Sequence, residues 1–137
     1  MVSVKSLFTS VLAALPLASA YITNLAAPES AKAGTTIKAT LTASIYIQNW
    51  DDFGIIWGLT PNHPVVGDEL YIGQRIAYTP LFPDNVPKPG QFTVDVPIPK
   101  GFQTGDFKLY AAIPYLVGAS GLTAIQSHVA NITIEAA

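Results

Sequence analysis

Beyond residue 20, apolar residues recur at every second position in short runs, and glycine, proline or asparagine ends each run. Such alternation turns one face of an extended chain toward a core and the other toward water. No run in this portion keeps the period of about 3.6 residues that an amphipathic helix needs. The chain is thereby committed to strands. Strands with one apolar face must either face a second sheet or close on themselves, so the fold is a sandwich or a barrel.

Seven strands are expected, over residues 22–26, 36–44, 53–59, 69–76, 92–98, 107–113 and 126–135. In the second, Ile37, Ala39, Leu41 and Ala43 alternate with Lys38, Thr40 and Thr42. In the third, Phe53, Ile55, Trp57 and Leu59 share a face. In the fifth, Phe92, Val94, Val96 and Ile98 point inward and Thr93 and Asp95 outward. In the sixth, Phe107, Leu109, Ala111 and Ile113 point inward and Lys108 outward. Ala130, Ile132 and Ile134 form the inner face of the last. Gly34 and Gly90 precede the second and fifth strands, where a turn with positive φ is available to glycine at no steric cost. Pro61-Asn62-His63-Pro64 cannot extend a strand, because two amide donors are missing. Pro80, Pro83, Pro87 and Pro89 make 78–89 a long connection. Seven strands in this length fit an immunoglobulin-like β-sandwich, with Trp57 on the third strand, where such domains often bury a tryptophan. A closed barrel is the alternative.

Residues 1–20 follow a different pattern. Lys5 supplies a positive start, and 7–17 is apolar apart from Thr9 and Ser10, too short a run to span a bilayer. Ala18-Ser19-Ala20 then offers the small-x-small site of a signal peptidase. The expectation is a signal peptide cleaved after Ala20, leaving a single domain over 21–137. The tail 131–137 has none of the apolar length that precedes lipid anchoring, so no membrane anchor is expected and the product should be secreted. The chain has no cysteine, so the domain must hold by packing alone, which half its residues being apolar makes feasible. After residue 20 there are six basic and nine acidic side chains, a net charge of −3. The basic groups are scattered and build no phosphate-tracking surface, which argues against nucleic acid as a partner.

The sequence carries no recognisable catalytic signature. There is no Gly-x-Ser-x-Gly elbow and no thiol. His63 and His128 lie in separate segments, and Ser127 points to the opposite face of its strand from His128. His128 is expected to be a hydrogen-bonded histidine at a sheet end, and His63 a solvated turn residue. Asp51-Asp52 and Asp68-Glu69 offer hard oxygens, but no calcium-loop spacing and no glycosidase arrangement selects them. No catalytic residue, metal or cofactor is therefore expected, and the chain reads as a non-enzyme. The aromatic residues Tyr46, Trp50, Phe53, Trp57, Tyr71 and Tyr78 are concentrated mid-chain. Phe53 and Trp57 alternate in step with Ile55 and Leu59 and read as core. Trp50, ahead of that strand in Asn49-Trp50-Asp51-Asp52, is the ring expected to be exposed. Tyr46, Trp50, Asp51 and Asp52 form the candidate partner-binding set. Asn131-Ile132-Thr133 is an N-glycosylation sequon out of phase with the inward Ala130 and Ile132, so Asn131 should face solvent.

The stretch from Tyr46 through Gly58, Tyr-Ile-Gln-Asn-Trp-Asp-Asp-Phe-Gly-Ile-Ile-Trp-Gly, resembles the necrosis-inducing secreted protein family of fungal effectors. Also similar are the opening 22–28, the strand after Gly34, residues 92–98 ahead of a Pro-x-Gly turn, and the final strand with its Asn-x-Thr. The likeness spans the chain after residue 20, and it rests on order and length rather than on one diagnostic motif. It implies a secreted effector without enzymatic activity, able to provoke plant cell death. It further implies suppression of pattern-triggered immunity by binding plant receptor-associated kinases; action inside the host cell is a separate expectation. The other class to weigh is a cell-wall or carbohydrate-binding module of the same fold.

Overall fold

A computed structural model describes residues 19–46, 49–61 and 69–137. The expected leader up to residue 18, together with His63 and Asp68, lies outside the described residues. The alternating segments pair into two sheets. β1 (Ser19–Ala26), β3 (Thr36–Tyr46) and β7 (Gly90–Pro97) form an antiparallel sheet in the order β1-β3-β7. The second sheet runs β2 (Ser30–Lys32), β9 (Leu122–Glu135), β8 (Gly105–Val117), β5 (Gly54–Pro61), β6 (Gln74–Pro80). A further short strand, β4 (Trp50–Asp52), pairs with β8 beyond the end of β5. β2 runs parallel to β9 and every other pairing is antiparallel. This is the crossed order of an immunoglobulin-like sandwich. The barrel alternative fails, because β6 and β7 are edges of separate ladders.

The core lies where the alternation put it. Ile22, Leu41, Ile55, Trp57, Leu59, Val96, Leu109, Ile113, Ile132 and Ile134 have almost no solvent contact. Trp57 is fully buried on β5, and its indole N–H donates to Thr79 Oγ1 on β6 at 3.0 Å. Disulfide-linked immunoglobulin domains bridge the strands equivalent to β3 and β8 beside this tryptophan. Here Ala39 and Leu41 on β3, and Leu109 and Ala111 on β8, are fully buried in the same apolar cluster. On the outside, Lys38 and Asp95 stand opposite each other across β3 and β7, with Lys38 Nζ 2.7 Å from the Asp95 carboxylate. Gly34 and Gly90 take φ of 86° and 118°, as their turns require.

Four details differ from the sequence expectation. The fourth strand is displaced: residues 69–73 join no ladder, and Tyr78, Thr79 and Pro80 pair with β5. Gly73, at φ 77°, interrupts the run, and Ile72 packs over Gly58. Pro80 is tolerated because it ends an edge strand, where its missing N–H leaves no gap in a ladder. β2 and β4, three residues each, are too short to show alternation. β8 runs through Pro114 to Val117, and β9 begins at Leu122, giving one long hairpin closed by Gly118 and Gly121 at positive φ. Phe53, expected in the core, lies between β4 and β5 and is half-buried, ring-edge against Phe82.

Candidate functional site

β4 is short, but its register decides what gathers around it. Trp50 stands opposite Val117, and Asp52 opposite Tyr115. Residues two apart on a strand share a face, so Trp50 and Asp52 project together, beside Tyr115. Trp50 stacks on Tyr115 with ring centroids 4.5 Å apart and 15° between planes. Tyr46, from the end of β3, meets Trp50 edge-on at 4.8 Å. Tyr21, from β1, lies 4.8 Å from Trp50 and 5.3 Å from Tyr46. Two rings from each sheet thus close one end of the sandwich, and all four remain half-exposed.

Below the rings sits Asp52, only 2 % exposed. Its Oδ2 accepts the Ile22 amide at 2.9 Å, and its Oδ1 accepts the Trp50 indole N–H at 2.8 Å. Gln126 Nε2 makes a long contact with Oδ1 at 3.5 Å. Burial pushes the Asp52 carboxyl above the ordinary carboxylate range, and the bonds from Trp50, Ile22 and Gln126, with the nearby His128, pull in the opposite direction. His128 shares the inner face of β9, but its Nε2 is buried without a hydrogen bond among the described residues, contrary to the expectation of a satisfied histidine.

Of the four candidate partner-binding residues, Tyr46, Trp50 and Asp52 come together. Asp51 projects from the other face of β4, opposite Leu116. Trp50 is half-buried among rings rather than standing free in solvent. Asp52 is beneath the surface, so it can act on a partner only through the ring it holds. Tyr71 and Tyr78 lie elsewhere, 56 % and 54 % exposed. Sequence reasoning missed Tyr21, Tyr115 and Gln126. Tyr115 follows Pro114, where the strand was expected to have ended. Tyr21 directly follows the expected cleavage site, far in sequence from the mid-chain aromatic residues. Ser19 and Ala20 begin β1, opposite Tyr46 and Ile45, so cleavage after Ala20 would shorten that strand by two residues.

Elsewhere, edge strands β6 and β7 and the proline-rich connection between them border a groove of about 550 Å³, lined by Leu81, Asn85, Val86, Pro87, Phe92 and Val94 among others. Among the described residues, no three His, Asp or Glu side chains gather in a metal-holding group, and no helix is long and apolar enough to cross a membrane.

Residues 18–133 match the model of the Nis1 family. The chain is 30 % identical over 119 residues to the necrosis-inducing secreted protein 1 of Colletotrichum orbiculare, covering 87 % of this chain and 71 % of that protein. It is 29 % identical over 118 residues to the protein of the same name from Colletotrichum higginsianum, covering 86 % and 81 %. Among solved structures, a cohesin module of a Clostridium perfringens family 33 glycoside hydrolase aligns with a TM-score of 0.37 at 16 % identity, over 86 % of this chain and 98 % of that one.

Proposed function

Since the chain belongs to the Nis1 family, we propose that it is a secreted effector, released by cleavage after Ala20, that provokes necrosis in plant tissue. Its finer activity is to dampen pattern-triggered immunity by docking on receptor-associated kinases, without catalysis of its own. The family match along residues 18–133 carries this reading, and both named relatives are called secreted and necrosis-inducing. The docking surface is the aromatic end. Rings held by one another and by a buried carboxylate lose little freedom when a partner covers them, and Trp and Tyr are the side chains that most often anchor interfaces. Kinase domains lie inside the host cell, so this reading requires entry.

The test infiltrates the chain, purified from a secretory host, into leaf tissue and measures cell death and the elicitor-triggered oxidative burst. A parallel pull-down uses receptor-associated kinase domains. Necrosis, a reduced burst and kinase capture are expected. Trp50→Ala should abolish capture while the protein still melts cooperatively. Absence of both capture and burst suppression overturns the kinase reading, and absence of necrosis overturns the coarser one. Binding to insoluble glucan or chitin that Trp50→Ala weakens would favour the carbohydrate-binding alternative instead.

A further inference from the structure

We propose that Asn131 carries an N-linked glycan, attached at the end of the larger sheet remote from the aromatic cluster. Asn131-Ile132-Thr133 is the single Asn-x-Ser/Thr sequon of the chain. A sequon is used to effect only where the finished fold leaves room for the sugar, and three features provide it.

First, Asn131 is exposed on β9, while Ile132 beside it is buried. Second, its amide is oriented. Lys108, directly opposite on β8, donates from Nζ to Asn131 Oδ1 at 3.0 Å. That bond engages the oxygen and leaves Nδ2, the atom that is modified, without a hydrogen bond among the described residues. Third, there is space beside it. A shallow hollow of about 310 Å³, bordered by Glu29, Asp106, Asn131 and Thr133, adjoins the side chain. On the outer edge of β9 the pairing with β2 begins at Thr133, two residues beyond Asn131.

The reaction is a transfer from a lipid-pyrophosphate-linked oligosaccharide. The bond from Nδ2 to the anomeric carbon of the first sugar forms as the bond from that carbon to the pyrophosphate oxygen breaks. The proton lost from Nδ2 balances the charge on the departing lipid pyrophosphate. Such donors belong to the eukaryotic secretory route, and the fungal relatives are named as secreted.

The position has a consequence for docking. Leu122 lies nine residues back along β9, and its partner Val117 pairs with Trp50. At about 3.3 Å per residue, roughly 30 Å of strand separates the sugar from the rings. The glycan therefore leaves the aromatic end open. It rises instead on the strand face shared by Val129 and Ile125, which are 45 % and 57 % exposed, and shields that apolar strip.

The full chain is expressed in a fungal secretory host. Total protein from cells and medium is digested with and without peptide N-glycosidase, and the peptide containing Asn131 is read by mass spectrometry. The expected result is a glycopeptide that the enzyme converts to the Asp form. Asn131→Gln and Thr133→Val should both lose the glycan, and Thr133→Ser, which preserves the sequon and its hydroxyl, should retain it. An unmodified wild-type peptide in both cells and medium overturns the proposal. So does a glycan that survives Asn131→Gln.

Discussion

The indole N–H of Trp50 donates to Asp52 Oδ1 at 2.8 Å, so the half-exposed tryptophan at the tip of the sandwich is aimed by a carboxylate that solvent scarcely reaches. The other oxygen of that carboxylate takes the amide of Ile22 on the facing sheet. One acidic side chain therefore joins the two layers and orients the ring above them.

Asp52→Ala should cost about 2–4 kcal/mol, because it strands the Ile22 amide and the Trp50 indole without their acceptor. Asp51→Ala, on the other face of β4, should cost less than about 1 kcal/mol. Urea titrations of the two variants followed by dichroism separate them. Equal losses would show that the buried bonds contribute nothing special.

The acid dependence of stability should carry a signature of Asp52. Its folded pKa is raised above the ordinary value of 3.8, chiefly by burial. Between the unfolded and folded values the native state binds the proton more tightly, so this group favours folding most below 3.8, and its contribution falls as pH rises through the folded value. Asp52→Asn cannot titrate. Its stability deficit relative to wild type should be largest in acid and narrow toward neutrality. A deficit that widens with pH would reverse the assigned direction.

The two tryptophans should behave as different kinds of residue. Trp57→Ala empties a fully buried site and should cost about 3–5 kcal/mol, enough to unfold a marginal domain. Trp57→Phe should cost less, losing part of the packing and the bond to Thr79. Trp50→Ala removes ring contacts worth about 0.5–1.5 kcal/mol each from a half-exposed cluster and should leave a folded protein. Thermal melts of the three variants give the ranking.

At Gly58 an added Cβ meets the carbonyl oxygen of Ile72, which is backbone and cannot swing aside. At Gly54 it meets the phenol end of Tyr78, an exposed side chain that can move. Gly58→Ala should therefore lose about 1–3 kcal/mol and Gly54→Ala markedly less. Comparable denaturation midpoints for the two would contradict this packing.

The sandwich was legible because its inner faces alternate over long stretches: 36–44 and 107–113 fall inside observed strands, and 92–98 overruns the end of β7 by one residue. Gly34, ahead of β3, and Gly90, the first residue of β7, were legible because only glycine takes their φ without strain. The displaced β6 was not, because Tyr71, Ile72 and Ile76 look strand-like until Gly73 interrupts them. The site was half legible. Trp50 and Asp52 lie two apart in sequence, and Tyr46 lies near them. Tyr21 and Tyr115 reach the same spot through pairings of β1 with β3 and β4 with β8, which no local pattern encodes.

Where related domains tie their layers with sulfur, this one sets Ala39 and Leu41 against Leu109 and Ala111 around an indole. Nothing in that arrangement can be reduced. With no cysteine in the chain, no crosslink separates its folded state in an oxidising compartment from that in a glutathione-rich one.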